Sequence, residues 1–94
     1  MSKVLIIDDE VHIAEGIKLN LELNGHKVHI KENGFLGVNE WKSWRPDIIV
    51  LDLMMPIMDG YTTLQKIREE DKKIPILVLS AKDAIKDKVK CLSI

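Results

Sequence analysis

Two short apolar runs of this sequence each end in acidic side chains. Residues 4–7 (VLII) are followed by Asp8, Asp9 and Glu10, and residues 48–51 (IIVL) are followed by Asp52. Carboxylates a few ångströms apart repel by roughly 4 kcal/mol per pair at an effective dielectric constant near 20, so they protonate, separate or bind a cation. If both runs are strands that end at one edge of a sheet, the acids predict a site for a hard divalent cation.

The same side chains fit phosphoryl transfer. An aspartate can attack phosphorus and form an acyl phosphate, provided that a metal ion neutralises the phosphoryl oxygens and the reacting groups lie in line. Mg²⁺ is the expected cofactor, because it is usually held by one or two carboxylates together with a phosphate and keeps several waters. A hydroxyl, Ser80, follows a third apolar run, residues 76–79 (ILVL), and is a candidate for the same site.

Short apolar runs alternate with longer helical patterns along the chain, which is typical of repeated βαβ units and a parallel sheet. The predicted strands are 3–7, 27–31, 47–51 and 76–79, and the predicted helices are 11–23, 34–43, 61–70 and 84–92. The predicted class is α/β, an open parallel sheet with helices on both faces. Ligands of such sheets bind at the carboxyl ends of the strands, where the acids and Ser80 should meet.

Length and composition exclude several classes of protein. The 94 residues suffice for one small domain, 1–94. The net charge is -1 and the charges are interspersed, so no direct contact with nucleic acid is predicted. No apolar run approaches the ~20 residues that span a bilayer and no signal peptide is apparent, so a cytoplasmic location is expected. Cys91, the only cysteine, is assigned a structural role.

The sequence resembles the receiver domain of two-component response regulators. The resemblance rests on residues 4–10 (VLIIDDE), 47–60 (DIIVLDLMMPIMDG) and 75–81 (PILVLSA), in the family's order and spacing. It implies a flavodoxin-like fold with strand order 2-1-3-4-5. It also implies that Asp52 is the phospho-acceptor, Asp9 a direct magnesium ligand and Asp8 a ligand through water. The backbone carbonyl of Met54 would complete the metal site.

The resemblance further implies partners. The phosphoryl donor would be a phosphohistidine on a sensor histidine kinase or a phosphotransfer protein, and the chain itself is expected not to be an enzyme. Ser80 would be the switch hydroxyl that moves toward the phosphoryl group, with Ala81 as the small neighbour that leaves room for it.

The last residues depart from the family pattern. Receivers usually continue through a fifth strand that ends in a lysine, and then a fifth helix, whereas this sequence ends at Ile94. Lys82 lies near Ser80 and is a candidate to replace part of the missing charge. We expect a domain that is incomplete at its C-terminus. Its fourth strand would be an unpaired apolar edge, which favours a homodimer through that edge.

Three functions fit these residues. The first is a phospho-acceptor receiver; residues 67–70 (IREE) and 86–90 (KDKVK) resemble receivers joined to winged-helix DNA-binding domains, so the whole protein would regulate transcription. The second is a receiver-like interaction module that does not switch and acts by dimerising or by titrating a kinase. The third, a haloacid-dehalogenase-like phosphohydrolase, is disfavoured because Met54 stands where that family has a second acid.

Simpler structural roles also fit several of these residues. An acidic pair after a strand commonly caps the next helix, and Ser80 would also fit as an ordinary strand-end hydroxyl. Trp41 and Trp44 are expected to pack a helix on the sheet. The three histidines show no metal-ligand spacing and are expected to be solvated.

Overall fold

The computed structural model describes residues 1–55 and 58–79 in full and the backbone of Val89–Leu92. The strands are β1 (Lys3–Ile7), β2 (Lys27–Lys31), β3 (Ile48–Asp52), β4 (Ile76–Leu79) and β5 (Val89–Leu92). The helices are α1 (Val11–Leu23), α2 (Gly34–Trp44) and α3 (Gly60–Glu70). Each element from β1 to β4 lies within one residue of its predicted bounds.

The strands form one sheet in the order β2-β1-β3-β4-β5, and the first four of these are parallel. Ile7 at the end of β1 lies opposite Lys31 and Leu51, and Asp52 lies opposite Leu79. The predicted α/β class and parallel sheet are confirmed. Asp52 is the last residue of β3 rather than the residue after it, and the carboxyl ends of β1, β2, β3 and β4 share one edge.

Helices cover both faces of the sheet, as predicted. On one face α2 and α3 pack on buried side chains that include Leu5, Ile7, Trp41, Leu51 and Ile67. On the other face α1 packs on a second cluster that includes Val4, Ile6, Ala14, Val28 and Val50. Strand β3 contributes to both clusters, which explains why its sequence is apolar throughout. None of the described helices has the length and hydropathy required to span a bilayer.

Helix α2 lies close to its neighbours because two of its residues are glycines. A Cβ on Gly37 would lie 2.5 Å from Cδ1 of Ile7 in β1, and a Cβ on Gly34 would overlap Oγ1 of Thr63 in α3. Both approaches are closer than van der Waals contact allows. Larger residues at these two positions would therefore push α2 away from the sheet and from α3. The first turn of α2 therefore supports the first turn of α3.

The segment after β4 differs from the prediction. The pattern over 84–92 predicts a helix, whereas Val89–Leu92 forms β5 and pairs antiparallel with β4; residues 84–88 lie outside the described residues. The prediction is wrong over 89–92 because the edge of β4 offers a row of hydrogen-bonding groups, and tertiary pairing outweighs local periodicity in a short segment. The predicted unpaired edge is thus paired within the chain. The homodimer that was argued from it stays a prediction.

Side-chain contacts join strands β1 and β2 to α2. The rings of His29 and Trp44 stack with centroids 3.6 Å apart and an interplanar angle of 11°, and Nδ1 of His29 is hydrogen-bonded to Glu40. Nζ of Lys3 donates to the carbonyl oxygen of Trp44 at 2.7 Å. His29 is exposed, as expected for a solvated histidine, and the flat indole ring at the end of α2 also gives its imidazole a packing surface.

Candidate functional site

Asp8 follows β1 directly and is fixed by the local backbone. Its N–H donates to the carbonyl oxygen of Lys31 at 2.9 Å, and its Oδ1 accepts from the N–H of Glu10 at 2.8 Å. The residue is only 3% exposed. Glu10, at the N-cap of α1, makes no capping hydrogen bond with its side chain. Helix capping therefore does not account for this acidic run, whose first member points into the protein.

Asp52 ends β3 and is buried like Asp8, at 2% exposure. Its Oδ1 accepts from the N–H of Met54 at 3.0 Å. The next residue, Leu53, donates from its N–H to the carbonyl oxygen of Leu79 at 3.1 Å, which anchors the start of the β3–α3 connection to β4. The carboxyl group is thus held between β1 and β4 at the edge of the sheet.

The structure brings Asp8, Asp9 and Asp52 together. One carboxylate oxygen from each lies within 4.8 Å of the other two; Asp8 and Asp52 are buried and Asp9 is exposed. Within the described part of the chain, none of the three forms an ion pair with a lysine or arginine. Buried carboxylates require a compensating charge, and an all-oxygen donor set suits Mg²⁺. The residues present therefore fit a magnesium ion, with the exposed Asp9 on the solvent side.

Burial raises the pKa of Asp52 to about 7, against the hydrogen bond from Met54, and the charges of Asp8 and Asp9 add to the rise. Burial also raises the pKa of Asp8, against hydrogen bonds from Glu10 and Asp52. The hydrogen bond between the two carboxyl groups favours ionised Asp8 and protonated Asp52. A proton on Asp52 would relieve the repulsion within the pair, and a divalent cation would supply the same compensation with both groups ionised.

The connection between β3 and α3 is shaped by Gly60. A Cβ on this residue would overlap the Cα of Leu53 and the carbonyl oxygen of Asp52, and its N–H donates to the carbonyl oxygen of Leu53 at 3.1 Å. Asp59 caps α3 by accepting from the N–H of Thr62 at 2.8 Å. The sequence marks Asp59 and Gly60 only as a turn. Their position at the start of the helix that follows Asp52 is the sequence signal for their role in shaping the site.

The structure describes the other predicted site residues only in part. Met54 lies beside the acids and is 48% exposed; its carbonyl oxygen as a metal ligand stays a prediction. Ser80, Ala81 and Lys82 lie outside the described residues, so their predicted roles at the site also stay predictions.

Comparison with known protein families identifies the family of this chain. The family model of the response regulator receiver domain matches residues 4–94. The chain belongs to the response regulator receiver domain family. The family of which the sequence motifs are typical is thus confirmed over nearly the whole chain.

Two curated relatives of this chain are named as transcriptional regulators. The probable transcriptional regulatory protein TcrX of Mycobacterium tuberculosis is 37% identical over 86 residues, which cover 92% of this chain and 37% of TcrX. The DNA-binding dual master transcriptional regulator RpaA of Synechocystis is 38% identical over 91 residues, which cover 95% of this chain and 38% of RpaA. The chain thus spans less than two fifths of the length of these relatives.

Solved receiver structures have the same fold. The response regulator TrrA of Thermotoga maritima, solved in complex with Mg²⁺ and BeF, is 30% identical with a TM-score of 0.82, over 92% of this chain and 75% of that one. TrrA in complex with the histidine kinase ThkA is likewise 30% identical, with a TM-score of 0.81 over 94% of this chain and 76% of that one.

Proposed function

We propose that this chain is a phospho-acceptor receiver domain in which Asp52 takes a phosphoryl group from a phosphohistidine with the help of Mg²⁺. The observation that carries the proposal is the convergence of three carboxylates within 4.8 Å at the carboxyl edge of a parallel sheet. Two of them are buried there without an ion-pair partner in the described part of the chain, which is costly for stability and is explained by a bound cation.

The chemistry is a transfer between two nucleophiles. An ionised carboxylate oxygen of Asp52 attacks phosphorus, the P–N bond of the phosphohistidine breaks, and the imidazole leaves with the electron pair and takes up a proton. Mg²⁺ supplies charge neutralisation for the phosphoryl oxygens. Asp9 would hold the ion directly, Asp8 through water and Met54 through its carbonyl oxygen. The chain is consumed as a substrate in this step and is not an enzyme in its own right.

The related structures support both the cofactor and the partner. TrrA was solved with Mg²⁺ and BeF, and the same regulator was solved bound to the histidine kinase ThkA. By analogy the donor for this chain is a sensor histidine kinase or a phosphotransfer protein. Ser80 is proposed as the switch hydroxyl. Both relatives described above are named as transcriptional regulators, so we assign this chain to the receiver part of a cytoplasmic transcriptional regulator whose DNA contacts lie in another domain.

The test is intact mass after incubation with Mg²⁺ and acetyl phosphate, a small acyl-phosphate donor. The wild-type chain should gain one phosphoryl group, and Asp52→Asn should gain none. Asp59→Asn is the matched control, because Asp59 is an exposed acid of the same connection and asparagine also caps helices well. This control should be phosphorylated like the wild type.

Two other results would replace the proposal. Binding of Mg²⁺ without any adduct would favour a receiver-like module that acts through interaction alone. Continuous release of inorganic phosphate from many phosphate esters would favour a phosphohydrolase of the haloacid-dehalogenase type.

A further inference from the structure

A cleft of about 450 Å³ lies in the connection between β3 and α3, which begins directly after Asp52. It is lined by Leu53, Met54, Met55, Asp59 and Tyr61. Tyr61 is 65% exposed and Met54 is 48% exposed. Two large apolar side chains therefore stand in solvent at the edge of the sheet where the three acids meet.

The chemistry proposed for Asp52 does not use these side chains. It uses the carboxyl group of Asp52 and the backbone of Met54, whereas the thioether of Met54 and the ring of Tyr61 are spare. Exposed apolar groups around a cleft mark sites of contact with another molecule. Methionine adapts its shape to a partner, and tyrosine supplies a large, rigid contact surface. The cleft thus suits an apolar side chain better than a phosphate.

Distance restricts what can enter the cleft. A protein donor has to place its phosphohistidine against Asp52, and Met54 is only two residues further along, at most about 7 Å of backbone. If the histidine lies on a helix, the residue one turn away is displaced by about 5.4 Å along the axis and lies on the same face. That displacement matches the reach from Asp52 to the residues that line the cleft, with the histidine facing Asp52.

We propose that this cleft is the anchor site for the protein phosphodonor: it receives an apolar side chain one helical turn from the phosphohistidine. The charge of the rim supports a protein of this kind, because Asp9, Glu10 and Asp59 are exposed around the site and suit a helix that also carries lysine or arginine. The inference rests on the proposed function. It adds Tyr61 as a residue that selects the donor without touching the reacting atoms.

The experiment compares two donors on the same variants. Acetyl phosphate needs no anchor, whereas a protein donor does. The protein probe is the purified, autophosphorylated histidine kinase that transfers fastest to the wild-type chain in a panel that includes ThkA. Tyr61→Ala empties one wall of the cleft, and Tyr61→Phe keeps the ring. The matched control is Leu23→Ala, because Leu23 is 75% exposed and lies at the end of α1 that is remote from Asp8 and Asp9.

Tyr61→Ala should lower the second-order rate of transfer from the kinase by about tenfold or more, as expected for a buried aromatic anchor. Its phosphorylation by acetyl phosphate should stay within about twofold of wild type. Tyr61→Phe and Leu23→Ala should behave like wild type with both donors. Thermal unfolding of each variant checks that the fold is intact.

Three results would overturn the inference. Equal transfer from the kinase to Tyr61→Ala and wild type would show that the cleft is not used, and a panel in which no kinase transfers would remove the protein donor. A change in oligomeric state of Tyr61→Ala, with transfer unaltered, would assign the cleft to a second copy of the chain. Failure of acetyl phosphate to label even the wild type would instead reject the proposed function itself.

Discussion

Asp52 combines two properties that oppose each other in water. It is 2% exposed, which favours its neutral form, whereas the proposed attack on phosphorus requires its ionised form. The buried neighbour Asp8 makes the conflict sharper, because two adjacent carboxylates cannot both ionise without compensation. A proton on Asp52 resolves the conflict in the absence of a cation, and a divalent cation resolves it in a form that is ready to react.

One consequence is a stability that depends on pH when no metal is present. The pKa of Asp52 is about 7 in the folded chain and has a reference value of 3.8. Between these values the folded state keeps a proton that the unfolded chain releases, so the free energy of unfolding should fall as pH rises from about 4 to about 7. The shift sets an upper limit of roughly 4 kcal/mol on the effect. Urea unfolding in EDTA across this range measures it.

The variant Asp52→Asn should remove most of that slope and unfold at higher urea than wild type at pH 8, because its side chain is neutral at every pH. Asp59→Asn should retain the wild-type slope. A slope that is the same in Asp52→Asn and wild type would show that another group is responsible.

Gly60 sets the path of the backbone directly after Asp52. Gly60→Ala should cost about 2 kcal/mol or more of stability, because the new methyl group overlaps backbone atoms that cannot move aside independently. It should also weaken Mg²⁺ binding, measured by calorimetry, since the displaced segment carries the carbonyl of Met54. Gly16→Ala is the control: a Cβ there meets nothing within 4 Å, so the helix should gain up to about 1 kcal/mol and bind Mg²⁺ normally. Equal metal affinity in both variants would confine Gly60 to a structural role.

At the scale of elements, α2 supports the site indirectly, through its contact with α3. It begins at Asn33, whose Oδ1 accepts from the N–H of Leu36 at 2.8 Å. Its first residue, Gly34, lies against Thr63 and the carbonyl oxygen of Met58. The start of α2 therefore packs against the start of α3, which in turn fixes the connection that follows Asp52.

Removing the cap of α2 tests this support. Asn33→Ala should lower the free energy of unfolding by about 1 kcal/mol, and Asn33→Ser, which keeps a capping oxygen, should lose much less. Thermal unfolding distinguishes them. A loss as large in the serine variant as in the alanine variant would mean that the packing of this buried residue matters more than its hydrogen bond.

The elements also show what a sequence can and cannot reveal. The strands up to β4 are predictable because their apolar runs are short and bounded by Gly, Pro and charged residues, and the acids stand at their carboxyl ends. The steric overlap that requires glycine at position 60 is not predictable, since it depends on how α3 lies against β3. The stacking of His29 on Trp44 joins residues that only the fold brings together. The periodicity of 84–92 mispredicts 89–92, because pairing with the open edge of β4 outweighs local periodicity in a short segment.

For the whole molecule, the acids bring together side chains from two strands that lie far apart in the sequence. Asp8 follows the first strand and Asp52 ends the third, and the site exists only when both are in place. Any ion that binds them binds the folded chain and not the unfolded one. Metal binding and folding are therefore linked.

Mg²⁺ should raise the midpoint of thermal unfolding. At a concentration one hundred times its dissociation constant, it should stabilise the chain by about 2.7 kcal/mol, or roughly 10 °C or more for a domain of this size. EDTA should reverse the shift, and Asp52→Asn should show little of it. A midpoint that does not respond to Mg²⁺ in the wild type would mean that the three carboxylates do not bind the ion.

The position of β1 between β2 and β3 has a consequence for synthesis on the ribosome. The strand made first is the one onto which the next two pair, so the sheet can grow outward in the order in which the chain emerges. The exception is the far side of β3, whose buried residues have no neighbour until Ile76–Leu79 has been translated. We expect nascent chains that are halted after β3 and before β4 to depend most on a chaperone.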